Sequence, residues 1–520
     1  MSLGMDIGEV SRLFFDFEAE HDRELKEIRY RGFMAWALVK SPLYFSLLHP
    51  RGGSDETVSN HNQKKSFNFF NKVVLQFKKG NDLFSLISQL TRIKFRKQLK
   101  EKRVLFYTFT GDKLTRDKSG NYFNFLTDEF IVEKLVTNYV YAERSFNSDF
   151  KLPSRVHIDL KLDCLDSVSS LYRFKNKNTG ELNISAQRIF TLFNSYLVNK
   201  GKDGLFTINV IKEILLAFSG EFDSNLFLLK IIKPDFIITS EMLGSGLIAA
   251  ANTLKISSID LQHGIIDRYH AQYVYNSSLN LFKPFMCLPK YMGVYGELHK
   301  EILLKEGFWE ASEIKVLGSG RVESNRKGNV ANYNNPSVKA KIILIPTQWT
   351  FFNDTKELLE LLIENLDSNF RIILKIHPHE PESNILFYVG MQNAYPLLIK
   401  VSDKNDDIYK DIADADLVIG FNSAVLLETV SLMKPCISIT TSTSPNGIHQ
   451  LYGNERLERA IKKVNVKDKS SILALIRSVE IKDEAYFNWL EHAKEESYFL
   501  YAAGYIKNCE RLINEVFSTN

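Results

Sequence analysis

The stretch KPDFIITSEMLGSGLIAAANTLKISSIDLQHG, Lys233 to Gly264, contains the pattern that decides the fold. A short β-type run, Phe236 to Thr239, stops at a Ser/Gly-rich turn. A helix of small and apolar residues follows over Leu247 to Leu254, then a second strand, Ser257 to Leu261, and a loop. Strand, helix and strand at this spacing form a crossover unit, which places the two strands parallel in one twisted sheet.

The same alternation extends in both directions. Upstream, RVLFYTFTGD (Arg103 to Asp112) reads as a strand ending in turn residues. A helix is predicted over FLTDEFIVEKLVTNYV (Phe125 to Val140), a strand at RVHIDLKL (Arg155 to Leu162), and long amphipathic helices from Ile184 to Phe218. Downstream come FMCLPKYMGVYGELHKEILLKEG and EIKVLGSGRVES, then the polar, turn-rich NVANYNNPSV (Asn329 to Val338), the best linker candidate. A second α/β series opens at KAKIILIPTQ and runs through FRIILKIHPHE, PLLIKVSD, DLVIGFNS, AVLLETVSLM and PCISIT. The fold class expected is therefore α/β, with two Rossmann-like doubly wound domains in tandem whose strand ends share a cleft. The boundaries expected are 1–102 for a helical N-terminal extension and 103–330 for the first domain. The second domain takes 338–480, and 481–520 forms C-terminal helices that pack back on the first.

At 520 residues the chain exceeds one ordinary core, and its 44% hydrophobic and 25% charged content suits a globular protein. The four scattered cysteines (Cys164, Cys287, Cys436, Cys509) make no CxxC pair and no metal-ligand spacing, as expected of reduced thiols. No signal-peptide pattern and no run near the roughly 18 apolar residues of a membrane span are seen, so a cytoplasmic, soluble protein is expected. The net charge of +4 is mild, but residues 64–103 interleave lysines and arginines with phenylalanines. Such a region suits either an anionic membrane face or a solvated helix whose aromatics face the core. No nucleic-acid-binding signature accompanies it.

Three clusters could carry chemistry. ILKIHPHEPES (Ile373 to Ser383) ends a buried-type strand with Lys375, His377, Pro378 and His379, at the edge where open α/β sheets bind ligands. Lysine and histidine there suit a phosphate. Two strands later, GFNSAVLLE runs from Gly420 through Asn422 and Ser423 into a helix starting near Ala424, whose free N–H groups favour an anion. Ser423 could equally be only the helix cap. Glu428, in the first turns of that helix, is placed to accept from ribose or sugar hydroxyls. VLGSGRVES supplies a Gly-rich turn with Ser319 and Arg321, and Thr347 and Gln348 end the first strand of the second series. The third cluster is QHG, with Gln262, His263 and Gly264 following a strand and Asp267, His270 and Tyr273 soon after. DKNDD (Asp403 to Asp407) reads as a solvated loop, and no metal site is expected.

Together the HP motif at His377–Pro378 and the Ser423 motif resemble the donor-binding half of GT-B glycosyltransferases. The likeness is to bacterial surface-polysaccharide enzymes with cytidine-nucleotide donors: sialyl- and polysialyltransferases, Kdo transferases and the glycerophosphotransferases of teichoic acid synthesis. Those families carry a Ser-Ser or Ser-Thr pair where this chain has Ser423 and Ala424. The KPDFIITSE and QHG stretches look like the acceptor-side domain of capsule and lipopolysaccharide glycosyltransferases. The resemblance implies a metal-independent GT-B enzyme needing no cofactor, with a nucleotide sugar (CMP-linked favoured) as donor and a lipid-linked or oligosaccharide glycan as acceptor. It implies donor and phosphate contacts from Gln262, Gly264, Ser319, Arg321, Thr347, Gln348, Lys375, His377, Pro378, Asn422, Ser423, Ala424 and Glu428. An inverting transfer needs a general base, for which Glu241 stands first, Asp267 second and Asp112 third, with His263 beside them. Alternatives of the same architecture are a CDP-glycerol or CDP-ribitol phosphotransferase and a UDP-sugar 2-epimerase. A glycan-binding scaffold is the non-enzymatic one.

Overall fold

The computed structural model describes residues 7–48, 84–93, 103–329 and 341–518, except 114, 118, 146–149, 203, 243, 405, 443, 445–446 and 449–454. Of the basic 64–103 stretch only 84–93 and Arg103 fall within that set, and of the 329–338 linker only Asn329.

Seven strands form the first sheet: β1 (Val104–Phe109), β2 (Tyr139–Arg144), β3 (Leu160–Lys161), β4 (Phe236–Ser240), β5 (Ser257–Leu261), β6 (Tyr291–Val294) and β7 (Ile314–Val316). Their spatial order is 3-2-1-4-5-6-7 and every pair is parallel. The second sheet contains β8 (Lys341–Pro346), β9 (Phe370–Lys375), β10 (Ile399–Ser402), β11 (Leu417–Gly420), β12 (Cys436–Thr440) and β13 (Ile461–Asn465). It runs in the order 10-9-8-11-12-13, again all parallel. Both sheets thus follow the doubly wound order in which the chain reverses direction beside its first strand, at β1/β4 and at β8/β11. The crevices at those switch points open at the carboxyl ends of the strands.

The β-type residues of these strands are buried almost without a break, as parallel strands covered on both faces require. One element differs from the sequence expectation. The helix predicted over Phe125 to Val140 is confined to Asp128–Val132, and β2 begins at Tyr139. Six residues of β2 pair in register with β1, from Val104↔Tyr139 to Phe109↔Arg144, and that ladder overrides the local helical pattern. The strand expected over Arg155 to Leu162 reduces to β3.

Helices α1 (Ile7–Glu20) and α2 (Ala35–Leu48) lie against the first sheet's body, as do α3 (Asp163–Asn176), α4 (Gly180–Asn199) and α5 (Ile208–Ile232). Glu18 of α1 and Lys40 of α2 form a fully buried ion pair at 2.8 Å. Lys40 also donates to Val274 O (2.7 Å), while Glu18 accepts from Trp36 Nε1 and Asn276 N. The N-terminal helices therefore brace the segment that follows β5. Helix α6 (Gly246–Thr253) joins β4 to β5, and α7 (Gly320–Asn329) leads out of the first sheet. In the second unit α8 (Ile408–Asp414) precedes β11 and α9 (Ala424–Ser431) follows it.

The chain then returns through α10 (Glu484–Leu500) to α11 (Tyr505–Ser518), which packs on the first sheet's side. Tyr505 Oη donates to Leu126 O, Lys315 pairs with Glu515 at 2.5 Å, and Phe517 meets Phe236 edge-on. Gly296 permits this crossing, since a Cβ there would lie 2.3 Å from Leu500 O. No helix among the described residues is long and apolar enough to cross a membrane.

Candidate functional site

Three strand ends of the first sheet bring Asp112, Glu241 and His263 together. Asp112 closes the turn after β1, Glu241 follows β4 and His263 stands two residues after β5. His263 Nε2 lies 3.2 Å from Asp112 Oδ1 and its Nδ1 lies 3.1 Å from Glu241 Oε1. With a carboxylate on each nitrogen, both nitrogens act as donors, which is the imidazolium form. Burial opposes that charge, but the hydrogen bonds to Asp112 and Glu241 outweigh it and raise the pKa to about 10. Burial likewise works against the Glu241 carboxylate, and the hydrogen bond and charge of His263 reverse this, lowering its pKa. Asp112 is fixed by Asn124 Nδ2 and Ser240 Oγ. Glu241 sits at φ +54°, a left-handed conformation that costs a non-glycine residue about 1–3 kcal/mol. The sequence offered Glu241 and Asp112 as competing bases, whereas the fold makes them partners of one imidazole.

Asp267 does not join them. It is buried, its carboxylate accepts from Tyr269 N, and burial raises its pKa to about 7. His270 is half-buried near Glu241 and Lys40, and desolvation lowers its pKa to about 4, so it is neutral. Gln262 is a brace: its Nε2 donates to Gly264 O and its Oε1 accepts from Tyr295 N, rather than facing the cleft.

The second sheet presents a shelf of polar groups at its carboxyl edge. Thr347 Oγ1 donates to Glu380 and accepts from His377 N. His377 Nδ1 accepts from His379 N, which places the ring proton on Nε2. Burial, then the neighbouring His379, lowers the His377 pKa, so this side chain serves as a neutral donor and not as a cation. Pro378 stands exposed in the turn between the two histidines. Gln348 Oε1 accepts from Asn422 N, and Asn422 Nδ2 donates to Ser444 Oγ while its buried Oδ1 has no partner among the described residues. Ser423 caps α9 by accepting from Val425 N.

Lys375 departs from the phosphate role expected of it. Its ammonium donates to the carbonyls of Asp403 and Asp406 and lies 3.9 Å from Asp411, so it ties down the DKNDD loop. The described residues of that stretch are exposed, as expected of a solvated loop, and Asp407 caps α8 and pairs with Arg321 at 3.1 Å. Arg321 lies in the first turn of α7, its guanidinium 4.2 Å above the Tyr409 ring. Tyr409 Oη donates to Glu428 Oε1 at 2.9 Å. Burial raises the pKa of Glu428, against the opposing charge of Arg321.

An interdomain pocket of about 110 Å³ joins these parts. His263 and Gly264 from the first sheet, Ser319 and Arg321 from the link, and Ala424 and Glu428 of α9 line it. A Cβ on Gly264 would meet nothing within 4 Å, so its absence keeps this space open. Tyr295 and Tyr409 also line the pocket, and neither was singled out from the sequence. Tyr295 directly follows β6, so the rule that ligands gather at strand ends would have found it; Tyr409, inside α8, carried no such signal. Among the described residues no group of three or more His, Cys, Asp or Glu side chains is placed to hold a metal ion.

Two Rossmann-like sheets, each parallel and doubly wound, with a pocket between their carboxyl edges and a C-terminal helix returned to the first, define the GT-B class of architecture. No protein-family model matches the chain, and no curated protein sequence does. Among solved structures it is similar to a UDP-GlcNAc 2-epimerase from Neisseria meningitidis bound to UDP-GlcNAc. That likeness has 13% identity, 81% of this chain, all of that one and a TM-score of 0.49. The S. aureus MnaA–UDP complex gives 12%, 81% and 97% of the two chains, and 0.47. The wall teichoic acid polymerase TagF with CDPG gives 12%, 87% and 98%, and 0.45.

Proposed function

We propose that this protein is a glycosyltransferase that moves a sugar from a nucleotide-activated donor to a hydroxyl of a growing bacterial surface glycan. A CMP-linked sugar such as Kdo or sialic acid is the donor favoured by the His377–Pro378 and Ser423 motifs. The observation that carries the reading is the interdomain pocket, in which the cationic His263 of the first sheet shares a wall with the α9 N-terminus of the second. Donor phosphate charge at that point would meet an imidazolium and free helix N–H groups. His377 Nε2–H extends the polar surface on the donor side.

In the transfer step the acceptor oxygen forms a bond to the anomeric carbon while that carbon's bond to the phosphate oxygen breaks. The electron pair leaves with the nucleotide, and Glu241, ionised at neutral pH, takes the acceptor's proton. His263 offsets the negative charge on both sides. The work is done by cationic side chains and helix N–H groups, with the first sheet as acceptor side and the second as donor side. We place the protein in the cytoplasm, with the basic 64–103 stretch as its contact to a membrane carrying the lipid-linked acceptor.

Calorimetric titration with CMP, CDP, UDP and GDP tests the donor. CMP or CDP should bind tightest. Preference for UDP would replace this reading with a UDP-sugar transferase or 2-epimerase. CDP-glycerol turnover would make it a phosphotransferase, and failure of every nucleotide to bind would leave a glycan scaffold.

A further inference from the structure

A second cavity, of about 550 Å³, opens on the other side of the catalytic pair. Glu241 lines this cavity and His263 lines the interdomain pocket, so the hydrogen-bonded pair stands as the partition between two chambers. Helices α2, α3 and α5 and the end of β2 build the remaining walls. This size lies in the range of small-ligand sites, which fall at about 300–1,000 Å³.

Its lining has a particular chemistry. Arg144 and Arg173 supply two positive charges, Asp166 and Glu221 two negative ones, and Arg144 and Asp166 are paired at 2.5 Å. The four formal charges cancel, and Glu241 shares the one charge of His263 with Asp112. No net positive field therefore draws in an anion. Guanidiniums that only donate and carboxylates that only accept stand side by side, which suits hydroxyl groups because each hydroxyl does both. Phe45 and Phe218 add flat apolar faces of the kind that pack against a sugar ring's C–H side.

We infer that this cavity holds a neutral, hydroxyl-rich glycosyl unit of the acceptor and presents one of its hydroxyls to Glu241. The inference rests on the transferase reading and adds to it the acceptor's chemical class and the residues that select it. An acceptor end bearing a carboxylate or phosphate would face Asp166, Glu221 and Glu241 with Arg173 alone to answer it, since Arg144 is already paired with Asp166.

The full-length protein can be titrated by saturation-transfer NMR with methyl β-glucoside, methyl N-acetyl-β-glucosaminide and glucuronic acid, with CMP titrated separately. The neutral glycosides should bind and glucuronic acid should not. Ala217→Phe on α5 and Ser41→Phe on α2 fill the cavity from two different helices, so each should weaken glycoside binding about tenfold or more while CMP binding is unchanged. Wild-type protein that binds CMP but neither glycoside, or that prefers glucuronic acid, overturns the inference. Two folded variants that bind glycosides as wild type does overturn it as well. Glycoside binding without any nucleotide binding strikes instead at the transferase reading, so the two failures are distinct.

Discussion

Glu241 Oε1 stands 3.1 Å from Nδ1 of His263, and the other nitrogen of that ring stands 3.2 Å from Asp112. One imidazole thus links carboxylates delivered by β1 and β4, the two strands that flank the switch point. It arrives from β5, the next strand along. Because the ring is held charged, Glu241 stays ionised beside it, which suits the role of base proposed for it.

Replacing Glu241 by Gln should keep the fold and CMP affinity while lowering turnover by about 10²–10⁴-fold. The His263 resonance, followed by NMR, should titrate at a lower pH in that variant because one of its two carboxylates is gone. Asp267→Asn, which resembles the protonated side chain held by Tyr269 N, should stay within a few-fold of wild type. Equal losses in both variants would remove Glu241 from the role of base.

Stability should fall on the alkaline side through His263. Its folded pKa is raised to about 10 from an ordinary 6.5, so the folded protein keeps a proton that the unfolded chain releases. The stabilisation is full below pH 6.5 and disappears as the pH approaches 10. Thermal melts across that window should decline steeply in wild type and more gently in Asp112→Asn.

Acid acts through other histidines. Burial lowers His270 to about 4 and His299 to about 3, so below pH 6.5 the unfolded chain takes up protons that the folded one refuses. Stability from these two is present above pH 6.5 and is lost as the pH falls towards 4. Asp267 opposes them, since its raised pKa favours the folded state at low pH. His270→Gln should flatten the acid limb of the melting curve, and Asp267→Asn should steepen it.

The Glu18–Lys40 pair should be costly to break and cheap to replace. Lys40→Met leaves a buried carboxylate without its cation and should destabilise by about 3–5 kcal/mol in chemical denaturation. The double change Lys40→Met with Glu18→Leu should recover much of that. Loss of the Lys40 bond to Val274 should also loosen the segment after β5 and lower turnover in the single variant.

Ser423 separates capping from anion binding. Ser423→Ala should cost about 1 kcal/mol of stability and weaken CMP. Ser423→Asp keeps a cap but sets a negative charge where phosphate would lie, so stability should hold while CMP binding is lost. If Ser423→Asp binds CMP as wild type does, the donor phosphate is not at this helix end.

Much of this architecture was legible in residue order. Parallel strands need continuous β-type runs bounded by turns, and helices need their own period, so Phe236 to Leu261 and Leu344 to Thr440 announced two doubly wound sheets. Residues at strand ends were legible for the same reason, and Glu241, His263, His377 and Ser423 all stand there. The strand at Tyr139–Arg144 was not, because its β character depends on its partner strands β1 and β3 rather than on its own residues.

Which residues meet was decided by tertiary structure. Asp112, Glu241 and His263 are separated by 129 and 22 positions in the chain, and nothing local indicates that one imidazole answers both carboxylates. Lys375 looked free in a sequence that shows its neighbours along the strand but not the Asp403 and Asp406 carbonyls folded over it. Local sequence sets the conformational preferences of each segment. The charge state of His263, the occupation of Lys375 and the chamber beside Glu241 arise from groups that only packing brings within a few ångströms.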